Sequence, residues 1–318
     1  MHPAKSVIFF TTASGAGYGV LILFILMDIA GLIPAGWHVT LISLGVALGL
    51  ISAGLLSSTA HLGHPERAWR AMSQWRTSWL SREGLFALIT FLPVLIYGAG
   101  RLVYPDMTTP WQPVVAALSV ALALITVYCT AMIYQSLKTI PRWHNGFTVP
   151  GYLAMAMATG GLWILPILAL SGGELLPAAL PTAGFLLRSA AIKWRYWTVT
   201  DNAAPTATSG TATGLSNLGT VRLLEGPTTS ETYVMREMGY KIGRKHAIKL
   251  RRLAGFFGLV IPVAVLAAVL AMPGSGTMAG GLVLIAAISG SIGVVVERWL
   301  YFAEAKHVST LYYGEEFA

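Results

Sequence analysis

Apolar residues along the chain gather into eight runs of about twenty, at 7–31, 39–60, 84–104, 114–137, 150–172, 178–199, 253–272 and 279–302, parted by polar stretches. About twenty residues at about 1.5 Å each cross the roughly 30 Å of a bilayer's hydrocarbon, so each run predicts a spanning helix. None shows the one-sided stripe of a helix packed on a soluble core; apolar side chains take nearly every face. The expected fold is an all-α integral membrane protein, eight transmembrane helices in one bundle. It forms a single polytopic membrane-anchor domain over residues 1–318, with one long polar and basic connection at about 200–252. The opening MHPAKSVIFF has the look of a signal peptide, but the apolar run behind it is longer than a signal core and is read as a retained first span. Glycine pairs four apart, Gly15 with Gly19 and Gly45 with Gly49, are read as helix-packing positions.

Composition supports the same class. Of 318 residues, 55% are hydrophobic and 11% charged, about half the charged share of a soluble domain. The formal net charge of +8 raises the question of nucleic acid. The basic residues, however, lie in short connections between apolar runs and form no recognisable nucleic-acid module, so no nucleic acid is expected. Of the 21 Lys and Arg, Arg101 alone falls in the odd-numbered connections. The other 20 lie at the termini, in the even connections or in helix ends leading to them, which places both termini on one basic side. The positive-inside rule makes that side cytoplasmic, with membrane lipid around the spans.

Cys129 is the only cysteine, so the chain offers no internal disulfide and no four-thiolate iron–sulfur site. The seven histidines fall at span ends or in connections, without the facing pairs that bind haem inside a bundle. No haem is expected in this chain. His61 and His64 are three apart, but Gly63 and Pro65 break a helix between them and no third ligand follows, so no metal site is expected.

The informative connection is HLGHPERAWRAMSQWRTSWLSRE, from His61 to Glu83, with two histidines, four arginines, three tryptophans and two glutamates at one membrane edge. Ionisable groups so close to lipid are costly unless paired or turned into a cavity. His61 ends the second run and Glu83 begins the third, so both lie at one depth on neighbouring helices and could form a proton-accepting pair. The alternative is structural: Glu83 stabilised by the helix dipole and by Arg82 or Arg76, His61 bonded to a carbonyl. Trp69, Trp75 and Trp79 read either as brackets around a ligand or as interfacial anchors. Asp28, Arg188, Glu297 and Arg298 are expected to pair within the bundle. The stretch ETYVMREMGYKIGRKHAIKLRR reads as a basic helix, either a lipid anchor or a docking element.

Five stretches together, MHPAKSVIFFTTASGAG, HLGHPERAWRAMSQWRTSWLSRE, IYQSLKTIPRW, YVMREMGYKIGRKHA and ERWLYFAEAKHVSTLYYG, resemble the dimethyl sulfoxide reductase anchor subunit (DmsC) family. The resemblance implies a haem-free membrane subunit of a bacterial or archaeal plasma membrane. Such a subunit anchors a molybdopterin catalytic subunit and a four-cluster ferredoxin-like iron–sulfur subunit, and oxidises menaquinol or ubiquinol. It implies that His61 and Glu83 shape the quinol site. These two are expected to be the catalytic pair, and His64, Arg67, Trp79 and Arg82 are further candidates around the quinol. Arg67, Arg70, Arg76, Arg236, Arg244 and Lys245 are expected on the docking face. Two rivals remain, a secondary transporter, for which no internal repeat is visible, and an anchor without quinone chemistry.

Overall fold

The computed structural model describes residues 2–34, 36–59, 62–105, 109–230, 232–238, 240, 242–271 and 276–317, without the side chains at 242, 244, 276 and 277. Eight long helices carry the fold: α1 Lys5–Ile29, α2 Trp37–Thr59, α3 Trp79–Val103, α4 Trp111–Gln135, α5 Thr148–Leu170 and α6 Leu176–Asp201, then α7 Ala247–Ala271 and α8 Gly276–Ala303. Among the described residues seven of them are long and apolar enough to cross a membrane. The remaining one, α6, has the length at 26 residues but carries Arg188, Lys193 and Arg195. The protein is a multi-pass membrane protein.

α1 and α5 are the interior helices, and small residues let them meet. A Cβ added at Gly19 would strike the Ala156 carbonyl, and one at Gly160 the Gly19 backbone. In lipid, where apolar tails compete with apolar side chains, such close backbone approach is what holds helices together. Gly17 and Gly54 serve the α1–α2 contact in the same way, against the Ala47 carbonyl and the Ser14 backbone. The expected packing role of Gly45 and Gly49 is corrected: both are exposed and an added Cβ there meets nothing within 4 Å. They lie on the α2 face turned away from α1.

α7 starts earlier than its apolar run and contains a π-helical turn at Phe256–Val260. Pro262 follows it and has no N–H to return to Gly258, so the wider turn absorbs a bond the α-helix could not make. The expected basic helix ahead of α7 is corrected to short pieces, Tyr233–Met238 and Ile242–Lys245, before α7 begins at Ala247. Gly243 is buried against Trp299 and Ala303, which pins this segment onto α8.

The termini and the even connections share one face. His2 N–H donates to the Glu237 carbonyl at 2.7 Å, and Val308 N–H to that of Thr139 at 3.0 Å. Thr208 pairs with Phe317 in an isolated bridge. At the opposite end, Arg101 is buried against Asp28 at 2.8 Å, and the Tyr97 hydroxyl donates to the same carboxylate. The cation that departs from the charge bias is therefore neutralised inside the bundle. Single cysteines introduced at Lys138 and Ser171, with Cys129 replaced by serine, are expected to react with an impermeant thiol reagent from opposite sides, Lys138 from the cytoplasm. Labelling of both from one side contradicts the eight-helix path.

Candidate functional site

The connection from α2 to α3 folds over the membrane edge as a 3-10 helix, Pro65–Gln74. Ser78 then caps α3, its hydroxyl accepting from Ser81 N–H, which satisfies one of the free donors of a helix start. The Ser81 hydroxyl donates to the Ala71 carbonyl and fastens the 3-10 helix to α3. Beneath this flap lies a cleft of about 650 Å3, bounded by the N-terminus, the end of α2, the flap and the start of α3. Its walls are largely apolar, with Val7, Leu55, Trp69, Met72, Leu80 and Leu88 among them.

Tyr134, Trp143 and Phe302 also line the cleft, and neighbouring contacts make that side rigid. Trp143 Nε1 donates to the Tyr301 carbonyl at 2.9 Å. Tyr134 stacks on Tyr152 with ring centres 5.7 Å apart, and Phe302 sets its edge against Trp143.

Glu83 reaches the cleft from the second turn of α3 and is only 4% exposed. The Thr130 hydroxyl of α4 donates to its Oε1 at 3.2 Å. Among the described residues no ion pair joins Glu83 to an arginine, so its expected partnership with Arg82 or Arg76 is corrected. Arg82 turns outward instead, donating to the Trp75 carbonyl at 2.9 Å and the Arg76 carbonyl at 2.6 Å, over the Trp79 ring at 4.2 Å. A carboxyl group taken from water, with one hydroxyl for company, suits proton exchange with a bound ligand. The cleft falls within the roughly 300–1,000 Å3 typical of small-molecule sites.

Of the other residues singled out in sequence, His61 lies outside the described residues. His64 is exposed, its Nδ1 3.0 Å from Glu66, and Arg67 lies 3.7 Å from the same carboxylate. Trp79 sets its ring edge-on to Tyr128 at 5.8 Å. None of His64, Arg67, Trp79 and Arg82 lines the cleft, whereas Trp69 does, as does His2. Nothing in the N-terminal sequence marks His2; it arrives there because the terminus is tied to Glu237. Arg67, Arg70, Arg76, Arg236 and Lys245 are exposed on the basic face, and the side chain of Arg244 lies outside the described ones. No group of three candidate metal ligands occurs among the described residues.

One ion network escaped the sequence reading, and a second was foreseen only in part. Glu304, buried just after α8, takes Arg142 at 2.9 Å and Arg251 at 2.8 Å. Both arginines also grip Asp201, Arg142 at 2.7 Å, so the α4–α5 connection and the ends of α6, α7 and α8 are tied at one point. Deeper, Glu297 pairs with Lys193 and, at 3.0 Å, with Arg298. The expectation that Glu297 and Arg298 pair inside the bundle holds, with Lys193 as a third member; Arg188 is exposed on α6.

A family model described as the DMSO reductase anchor subunit (DmsC) matches residues 1–182, a stretch that includes the flap and Glu83. The C subunit of sulfite dehydrogenase from Allochromatium vinosum is 34% identical over 98% of this sequence and 99% of its own. Two Escherichia coli K12 proteins of anaerobic dimethyl sulfoxide reductases are similar over shorter stretches. The YnfH protein is 29% identical over 38% of this sequence and 40% of its own. The other, bearing the letter C, is 30% identical over 41% and 46%. No solved structure matches.

Proposed function

The protein belongs to the DMSO reductase anchor subunit (DmsC) family, and from that premise we propose that it is the membrane anchor and quinol-oxidising subunit of a molybdopterin oxidoreductase complex. The observation that carries this reading is Glu83, a carboxylate buried against an apolar cleft of about 650 Å3 at the membrane edge. Quinol oxidation releases two electrons and two protons. The cleft supplies an apolar slot for the ring, and Glu83 supplies the base, receiving a hydroxyl proton on a carboxylate oxygen while Thr130 holds Oε1 in place. The aromatic side formed by Tyr134, Trp143 and Phe302 fixes the ring plane and excludes water. His61, two residues beyond α2 in sequence, would orient a quinol oxygen.

The electrons leave to a four-cluster ferredoxin-like subunit docked on the basic face, which passes them to the molybdopterin subunit; this chain holds neither haem nor an iron–sulfur cluster. The complex sits in a bacterial or archaeal plasma membrane, with the basic face cytoplasmic. The likeness to a dehydrogenase subunit over nearly the whole length favours a second reading, in which the same cleft reduces quinone and Glu83 donates the proton. The same residues serve both directions, with Glu83 the base in one and the acid in the other.

The test is the purified complex under anaerobic conditions. Addition of a quinol analogue is expected to reduce the partner's clusters, and failure to do so in either direction of flow overturns the reading. Reduction of added quinone by the partner's own substrate selects the second direction. Charge reversal on the docking face, Arg67→Glu with Arg70→Glu or Arg236→Glu with Lys245→Glu, is expected to lower co-purification, most strongly at low salt, where the exposed charges are least screened. Unchanged recovery of partners would leave these arginines as lipid anchors.

A further inference from the structure

Glu83 is one end of a polar layer that runs sideways through the bundle. Glu83 on α3, Thr130 on α4, Tyr152 on α5, Glu297 and Arg298 on α8 and Lys193 on α6 all lie within four to eight residues of their helix ends on the basic face. At about 1.5 Å per residue that is a common depth of roughly 6–12 Å. All six are buried, none more than 6% exposed. Burying three charges and a lone carboxylate in one membrane layer is costly, and structural pairing accounts only for the Lys193–Glu297–Arg298 part.

Two cavities fill the layer. The first, about 20 Å3, is lined by Thr130, Tyr18, Tyr152 and Arg298. A water needs about 10–15 Å3 on this measure and two to four polar partners. The hydroxyls of Tyr18 and Tyr152, in side chains 2% and 5% exposed, have no hydrogen-bond partner within bonding geometry among the described residues. A buried hydroxyl left so is costly, and a water placed there supplies the missing bond. The second cavity, about 110 Å3, has Lys193, Glu297 and Trp197 in its lining, beside the π-helical turn of α7. Met155, Thr159 and Val294 line both cavities and so form the wall between them. Arg298 bridges that wall, one nitrogen 2.8 Å from the Met155 sulfur and Nε 3.0 Å from Glu297.

We propose that protons exchanged at Glu83 cross the interior of the bundle to the basic face, through Thr130, a water held by Tyr18 and Tyr152, and the Lys193–Glu297 pair. This rests on the quinone chemistry proposed above. In the oxidising direction Glu83 takes the quinol proton and passes it to the Thr130 oxygen as the Thr130 proton moves to the cavity water. The water hands a proton across the wall to Glu297, and Lys193 releases one into the outer cavity. One proton in and one out leaves the net charge of the triad unchanged, and no electron moves. Arg298 carries no proton; its fixed charge holds Glu297 and Met155. Met155 is the gate, since an unbranched thioether adapts its shape more readily than the wall's valine. From Lys193 the route continues past Trp197 at 5.4 Å to Arg251, 5.2 Å from that ring. Arg251 is paired with Asp201, whose side chain is 38% exposed.

The test uses the assembled complex with a quinone analogue in three variants: Tyr18→Phe with Tyr152→Phe, Lys193→Met, and Glu83→Gln. The tyrosine pair keeps both rings, including Tyr152 under Arg298 at 3.9 Å, so folding is expected to survive. Quinone-coupled turnover is expected to fall about tenfold in the first two variants, with analogue affinity unchanged and a larger solvent deuterium isotope effect, as loss of a proton relay gives. Parental turnover and isotope effect in both, while Glu83→Gln is inactive, overturn the route and leave the quinone site standing. Parental turnover in Glu83→Gln overturns the site and the route with it.

Discussion

Glu83→Gln is expected to lower quinone-coupled turnover of the assembled complex by a factor on the order of 10² or more, as loss of a general base does. Glutamine preserves the size of the side chain and can still accept from the Thr130 hydroxyl at the Oε1 position. What it removes is the site for a proton. Because Glu83 makes no ion pair among the described residues, the change strands no buried partner charge, so assembly and thermal stability should stay near the parent's. The control is the partner's activity with an artificial electron donor that bypasses this subunit, which should be retained. Parental turnover in an intact complex would make Glu83 a structural carboxylate at a helix start. His61→Phe is expected to act differently, raising the quinone concentration needed more than it lowers the maximal rate, because the role proposed for it is orientation.

The second large effect is structural. Glu304→Ala is expected to destabilise the basic face by about 3–5 kcal/mol, the cost of removing one partner from a buried ion pair. The Glu304 side chain is 3% exposed, and its removal leaves Arg142 and Arg251, 25% and 17% exposed, sharing Asp201 alone. The end of α8 loses its tie to the α4–α5 connection and α7. The measurement is thermal denaturation of the purified protein in detergent, with Asp201→Ala as comparison. Asp201 is 38% exposed, so water screens its pairs and its loss should cost much less. Equal effects from the two variants would show that the tie is not organised around Glu304.

Much of the fold is legible from hydropathy alone, because lipid imposes one rule on every span: the backbone must bond to itself and the surface must be apolar. That rule fixes the eight runs and, through the even count, the shared side of the termini. It says nothing about which glycine meets a neighbour. Gly15, Gly19, Gly45 and Gly49 look alike in sequence, yet only Gly19 sits where a Cβ would meet another helix's backbone.

The candidate site is legible in the same uneven way. Glu83 stands out as a lone carboxylate starting an apolar helix. The orientation of the flap does not, because a 3-10 helix repeats every three residues and which of its faces turns outward depends on how it docks, and docking is set by the Ser81–Ala71 bond and by Trp69 and Met72 entering the cleft. The sequence therefore groups Arg67, Trp79 and Arg82 with Glu83, while the fold turns them away from the cleft. Lys193 is read as part of the charge bias although it is buried against Glu297, and Arg142 finds Glu304 across 162 residues of sequence. Pairings of that length carry no local signal.

Photolysis of an azido-quinone bound to the intact complex, followed by mapping of the labelled peptides, tests the quinone site at Glu83 most directly. Label is expected on the flap around Trp69 to Met72 and on α3 around Gly84 to Leu88, and excess unmodified quinone should suppress it. Label confined to other segments, such as the α6 and α8 residues around Lys193 and Glu297, would contradict a quinone site at Glu83.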